Sequence, residues 1–186
     1  MITGILIGIC TVVALGLIAS RYVGFSAQKP SHYLGGQAFD LRQHLNGEID
    51  CEGVIYGPLG RVSSRFMGRF NAEWQGHTGK MFEHFQYDTG NSQDREWTLL
   101  LSNDGTIKAT APDVIGEGHG YQKGSAVVLN YKIRLDSDAG GHILNVTDWM
   151  YLAPNGAIVN RSQFRKFGIK VAELVATMRP AGAVNA

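Results

Sequence analysis

The sequence predicts an all-β domain, an up-and-down antiparallel barrel or strongly curved sheet, preceded by one apolar N-terminal helix. Three observations predict it. From Phe39 onward, extended runs of period two alternate with short turn signals, about eight to ten of them. No long crossover and no internal repeat interrupts them, which makes consecutive antiparallel pairing the simplest topology. Before these runs, Ile2 to Ala19 carries no charge. A two-sheet sandwich is the alternative architecture. Closure into a barrel removes the exposed edges that an open sheet of this size would carry.

The first element is the apolar run. About 18 to 20 apolar residues suffice to span a bilayer as a helix, and Arg21 and Tyr22 mark an interface after it. A cleaved signal peptide would want a basic segment before the run, and none is present. A lipoprotein signal would want a small residue before Cys10, where Ile9 stands. The expected organisation is a membrane anchor over 1–21, a linker over 22–36 with Pro30 and Gly35-Gly36, a β-barrel domain over 37–179 and a disordered tail over 180–186. Arg21 and Lys29 follow the span and no Lys or Arg precedes it. By the positive-inside rule this would place the domain in the cytoplasm.

The runs follow in order. Phe39–Leu45 leads to Asn46-Gly47, then Glu48–Tyr56, then a break at Gly57-Pro58-Leu59-Gly60. The clearest strand is 61–74, where Val62, Phe66, Phe70 and Trp74 alternate with Arg61, Arg65, Arg69 and Glu73. Lys80–Asp88 mixes Phe82, Glu83, Phe85 and Tyr87, and 93–102 carries Arg95, Trp97, Leu99 and Leu101 on one face. After the short run 106–111, Pro112–Gly124 is glycine-rich and irregular. The run 125–135 has Val127, Leu129, Tyr131 and Ile133 on one side. Thr147–Ile169 forms a hairpin about Pro154-Asn155-Gly156, whose Asn-Gly pair tolerates positive φ. It carries large side chains and charges on both faces, which a half-buried surface hairpin would not. Phe167–Met178 fits either a helix or a closing strand, and the strand is preferred.

Composition narrows function mostly by exclusion. A net charge of +1 offers no bulk attraction for nucleic acid. The six histidines show no metal-ligand spacing, and the two cysteines, Cys10 and Cys51, do not suit one disulfide. There is no Gly-x-Ser-x-Gly elbow and no P-loop. Gly116-x-Gly118-x-Gly120 does not follow a strand and open a helix. No cofactor is expected.

Three groups of residues are candidates for a ligand site, and each has a plain structural alternative. Asp148, Asn160, Arg161 and Lys166 beside Trp149 would line a site or form a bracing network, with Asp148 paired to Arg161 or Lys166 if buried. Arg65, Glu83 and Arg95, with Trp97, would meet the carboxylate or phosphate of a lipid inside a barrel, or pair on its surface. Asp113, in a loop shared with Glu117 and His119, would sit on a lid at the barrel mouth or in a mere connection.

The blocks Asp148-Trp149-Met150-Tyr151, Asn160-Arg161-Ser162 and Lys166-Phe167-Gly168-Ile169 are similar to a bacterial envelope family catalogued as domain of unknown function 3833. Gly60-Arg61 through Arg65-Phe66, Glu83-x-Phe85-x-Tyr87, Arg95-x-Trp97 and Asp113-Val114-Ile115-Gly116 support it. The resemblance covers 39–178 and implies a lipocalin-like fold, lipoprotein anchoring and a periplasmic setting like that of small lipid-handling barrels. This chain departs from it in lacking a convincing lipobox. The expectation is a single-pass protein of the bacterial inner membrane, its barrel facing the periplasm and binding a fatty acid or other lipid. An enzyme acting on acyl chains, with Asp113, His119, Glu83 and Arg95 converging, is one alternative. A structural envelope protein with a filled barrel is the other.

Overall fold

The computed structural model describes residues 2–20, 22–137 and 140–182. Among these residues the chain forms helix α1 (Ile2–Ser20), a one-turn helix α2 (Leu41–His44) and ten strands. The strands are β1 (Gly47–Tyr56), β2 (Val62–Gln75), β3 (Thr78–Tyr87), β4 (Ser92–Leu101), β5 (Thr106–Thr110), β6 (Gly118–Lys123), β7 (Ala126–Arg134), β8 (Ile143–Leu152), β9 (Ile158–Lys166) and β10 (Ile169–Pro180). Each pairs antiparallel with its sequence neighbours, and β1 also pairs with β10, so the sheet closes into a barrel. The closing run is therefore a strand: Val54 opposes Val175 and Cys51 opposes Met178.

Alternation sets the inside. On β2, Phe66, Phe70 and Ala72 are buried while Arg65, Met67 and Arg69 are exposed. Close packing fixes the small positions. A Cβ on Gly53 would lie 2.6 Å from the Phe66 ring and 2.7 Å from the Val175 carbonyl, so only glycine lets that ring lie over β1. In the 153–157 turn only Gly156 takes positive φ, at 82°; Asn155 does not, but its side chain accepts from the Ala157 N–H. The Ala153 N–H bonds the Ala157 carbonyl across the turn.

One end of the barrel is plugged. Residues 39–45, expected as a strand, instead make a helical turn capped by the Asp40 carboxylate, which accepts from the Arg42 N–H at 3.0 Å. Phe39, Leu41 and Leu45 are almost wholly buried beneath the barrel. Gln122 Oε1 accepts from the Leu41 N–H, and the Trp74 indole donates to the Leu45 carbonyl at 2.8 Å. The opposite end, ringed by the β1–β2, β3–β4, β5–β6, β7–β8 and β9–β10 connections, is the mouth.

The stretch expected as a linker is a strap. Two 3-10 turns, Phe25–Ala27 and Pro30–Tyr33, pack on the outer wall. Trp149 and Tyr151 stack on each other and meet the Tyr33 ring at an angle, and Gln28 Oε1 accepts from both tyrosine hydroxyls. A small second core of Ala126, Val128 and Trp149 results, with Phe25 and Tyr121 against it. Here lies the reason β8–β9 carries large side chains on both faces: both faces are covered. At the end of the strap, Gly124 has φ +57°, and a Cβ there would stand 1.8 Å from the Tyr33 carbonyl oxygen. Gly124→Ala is expected to lower the unfolding free energy by about 2 kcal/mol in a urea titration, since it adds left-handed strain to that collision.

Among the described residues no helix is long and apolar enough to cross a membrane, so the expected span over 1–21 is not found among them. The structure instead holds α1, whose Ile5, Leu6, Ile7, Val12 and Leu15 side chains are exposed. Arg21 and most of the expected disordered tail, 183–186, lie outside the described residues.

Candidate functional site

Cross-strand register builds the site. Inward Glu83 on β3 lies directly opposite inward Arg95 on β4. On the far side of the barrel, inward Asp148 on β8 lies opposite Ser162 on β9. These pairs form a polar belt around a cavity of about 110 Å³ open to the centre of a water molecule. Towards the mouth the wall is Phe66, Phe85 and Phe164. Towards the plug it is Phe70, Met150 and Met178. The barrel is thus not filled.

Among the described residues Arg95 is the one cation lining the cavity. Its Nε donates to Asp113 Oδ1 at 3.0 Å, and its guanidinium carbon lies 4.1 Å from the Trp97 ring centroid and 5.6 Å from that of Tyr131. Its Nη2 is buried and has no hydrogen-bond partner among the described residues. A buried unsatisfied N–H costs about 1–3 kcal/mol, and more on a charged group, so this donor calls for an acceptor.

The two carboxyls of the belt differ in support. Burial pushes Glu83 up to about 7, against the downward pull of Arg95. Burial also raises Asp148, although the Ser162 hydroxyl donates to its Oδ1 at 2.8 Å and the Asn160 amide donates to the same oxygen. Asn160 further donates to the Trp149 carbonyl at 3.1 Å. Burial raises the Tyr131 phenol as well. The belt therefore offers a guanidinium beside a Glu83 carboxyl carried to about 7 and an Asp148 carboxyl that burial raises, which favours an anionic or acceptor-rich partner.

The ten residues singled out in the sequence divide. Glu83, Arg95, Trp97, Asp148 and Asn160 face the cavity, and Asp113 reaches Arg95 from the mouth. Arg65, Trp149, Arg161 and Lys166 do not join them. Arg65 pairs with Asp88 on the surface, and Trp149 packs under the strap. Arg161 binds Glu173 Oε1 at 2.7 Å on the outer wall, and Lys166 reaches His142. The expected pairing of Asp148 with Arg161 or Lys166 is thus replaced by Asn160 and Ser162. The reason is the pleat: Asn160 and Arg161 are adjacent and point to opposite faces. Lys166 shares the inward parity but lies beyond the wall, at the rim.

The 112–124 stretch is not wholly irregular. Its second half is β6, and Glu117 and His119 face outward beside Lys108. Its first half is pinned to β7 by the Ile115 N–H to the Lys132 carbonyl and the Arg134 N–H to the Asp113 carbonyl. Of the four residues whose convergence an enzyme would require, Glu83, Arg95 and Asp113 meet and His119 does not. Tyr131 and Ser162 belong to the site and were not singled out. The signal for Tyr131 was its place on the same face as Val127 and Leu129.

A family described as protein of unknown function, DUF3833, matches residues 19–180. The chain belongs to that family. No curated protein matches the sequence. Among solved structures, the S-type phycobiliprotein lyase CPES from Guillardia theta is similar at TM-score 0.58 and 8% identity, over 84% of this chain and 99% of that one. Rv2717c from M. tuberculosis is similar at TM-score 0.54 and 14% identity, over 78% and 99%. At these identities the likeness is one of fold, and it agrees with the closed antiparallel barrel described above.

Proposed function

We propose that this family member is a lipid-binding barrel tethered to a membrane, taking a fatty acid or related acyl lipid into its cavity. The observation that carries this reading is Arg95 Nη2, a charged donor without a partner beside an apolar cavity. A carboxylate or phosphate head would accept from Arg95, and the acyl chain would lie among Phe70, Met150 and Met178 towards the plug. The tether is α1, an uncharged helix with exposed apolar side chains that gain about 25 cal/mol per Å² on leaving water. The setting that the family resemblance implies is the bacterial envelope, with the barrel facing the periplasm.

Native mass spectrometry of the full chain released from nanodiscs, with lipid extraction of the same sample, tests the reading. A stoichiometric acyl species is the expected result. A protein that carries none and takes up neither added fatty acid nor phospholipid would overturn it.

A second reading rests on Glu83. A carboxyl titrating near 7 inside a ligand cavity suits general acid–base work on a bound acyl lipid. It requires turnover of an acyl ester by the wild-type protein that is lost in Glu83→Gln.

A further inference from the structure

We infer that the mouth of the barrel is itself a docking surface for an anionic lipid bilayer, formed by the neighbouring β1–β2 and β9–β10 turns. These two turns adjoin because β10 pairs with β1. Their tips carry Leu59, Phe167 and Ile169, which are 87%, 91% and 70% exposed. Val62 extends the same apolar edge. Such side chains, raised on hairpin tips around a cavity entrance, have nothing in the structure to bury against.

Phe167 adds a second observation. It is the one non-glycine residue with positive φ among those described, at 52°. An aromatic side chain in the left-handed region is strained, and here the only contact on the ring among the described residues is the Lys166 ammonium, 5.8 Å from its centroid. The strained turn projects the ring away from the barrel. Aromatic rings in this position suit the interfacial layer of a bilayer.

Charge selects the kind of surface. Residues 57–62 and 165–170 contain Arg61, Arg165, Lys166 and Lys170 and no acidic residue. Lys170 is held by Glu173, whereas neither Arg61 nor Lys166 has a carboxylate partner among the described residues. Each basic side chain close to an anionic leaflet adds to the attraction.

The chain brings lipid to this end. Arg165, at the mouth end of β9, donates to Ser26 Oγ at 3.3 Å, six residues beyond the end of α1 at Ser20. Six residues span at most about 20 Å. A bilayer that holds α1 is therefore within reach of the mouth and far from the plugged end. Docking would place the cavity entrance against the acyl source, with Phe66, Phe85 and Phe164 leading inward to the Arg95 belt. This inference rests on the membrane tether of the proposed function but needs no ligand in the cavity, so the two can fail separately.

The test uses the full chain in nanodiscs containing phosphatidylglycerol, with doxyl-labelled lipid as a quencher. Phe167→Trp reports the mouth, and Leu100→Trp reports an exposed position near the plugged end. The added emission of Phe167→Trp is expected to shift to the blue and to be quenched several-fold more strongly than that of Leu100→Trp. The difference should shrink in phosphatidylcholine alone and after Arg61→Glu with Lys166→Glu. Equal quenching of the two probes would overturn docking even if the cavity binds fatty acid. A blue shift without lipid that grows with protein concentration would mark contact between copies, and would overturn it too.

Discussion

Arg95→Met will weaken binding of a long-chain fatty acid by about 100-fold, equivalent to about 3 kcal/mol. Methionine keeps an apolar stem against Trp97 but removes the charged donors from the belt. Binding of the matching fatty alcohol should change little, because an alcohol makes no ion pair. Arg95→Lys should fall between the two, since an ammonium retains charge without the planar fork. The readout is displacement of a fluorescent fatty acid, followed for acid and alcohol in parallel. Equal losses for both ligands would mean that Arg95 supports the barrel and does not hold a head group. Asp113, left without its partner, lies at the mouth, where water can satisfy it, so the cost to folding is expected to be smaller than the cost to binding.

Stability will fall as pH rises from about 4.5 to about 7. The Glu83 carboxyl is raised from an ordinary value of 4.5 to about 7, chiefly by burial. Across that window the folded protein keeps a proton that the unfolded chain has released. The unfolding free energy then decreases with rising pH, by about 3 kcal/mol for a shift of this size. Asp148, also raised by burial, acts in the same direction. Asp40 and Asp88, whose carboxyls are lowered chiefly by hydrogen bonds from Arg42 and Arg65, act oppositely, and their effect falls below that window. Urea unfolding at pH 5 and pH 8 measures the slope, and Glu83→Gln should remove most of it. A wild-type protein equally stable at both values would show that Glu83 is solvated or paired beyond what the cavity provides.

The wall of the barrel was legible because each strand repeats one decision, inward or outward, at every second residue. On β2 and β4 the inward faces, Phe66 to Ala72 and Arg95 to Leu101, stand in the sequence as they do in the structure. The same rule places Asp148 and Asn160 inside and Trp149 and Arg161 outside. Grouping them as one cluster joined residues that the pleat separates. On β8 and β9 hydrophobicity gave no guidance, because the strap over 25–33 buries the outer face as well. The plug was misread as a strand although Asp40 stands before Leu41 as a helix cap; one helical turn is too short for periodicity to reveal. Ser162 joins the site through the β8–β9 register that sets it opposite Asp148, whereas the approach of Tyr131 on β7 to Arg95 on β4 crosses the barrel and leaves no local pattern.

The most direct measurement is a crystal structure with a bromine-tagged fatty acid, the bromine at the end of the chain, located by its anomalous signal. The account predicts bromine between Phe70, Met150 and Met178, and a carboxylate within hydrogen-bond distance of Arg95 Nη2. Bromine outside the barrel, or a carboxylate turned away from Arg95 towards the plug, would contradict it.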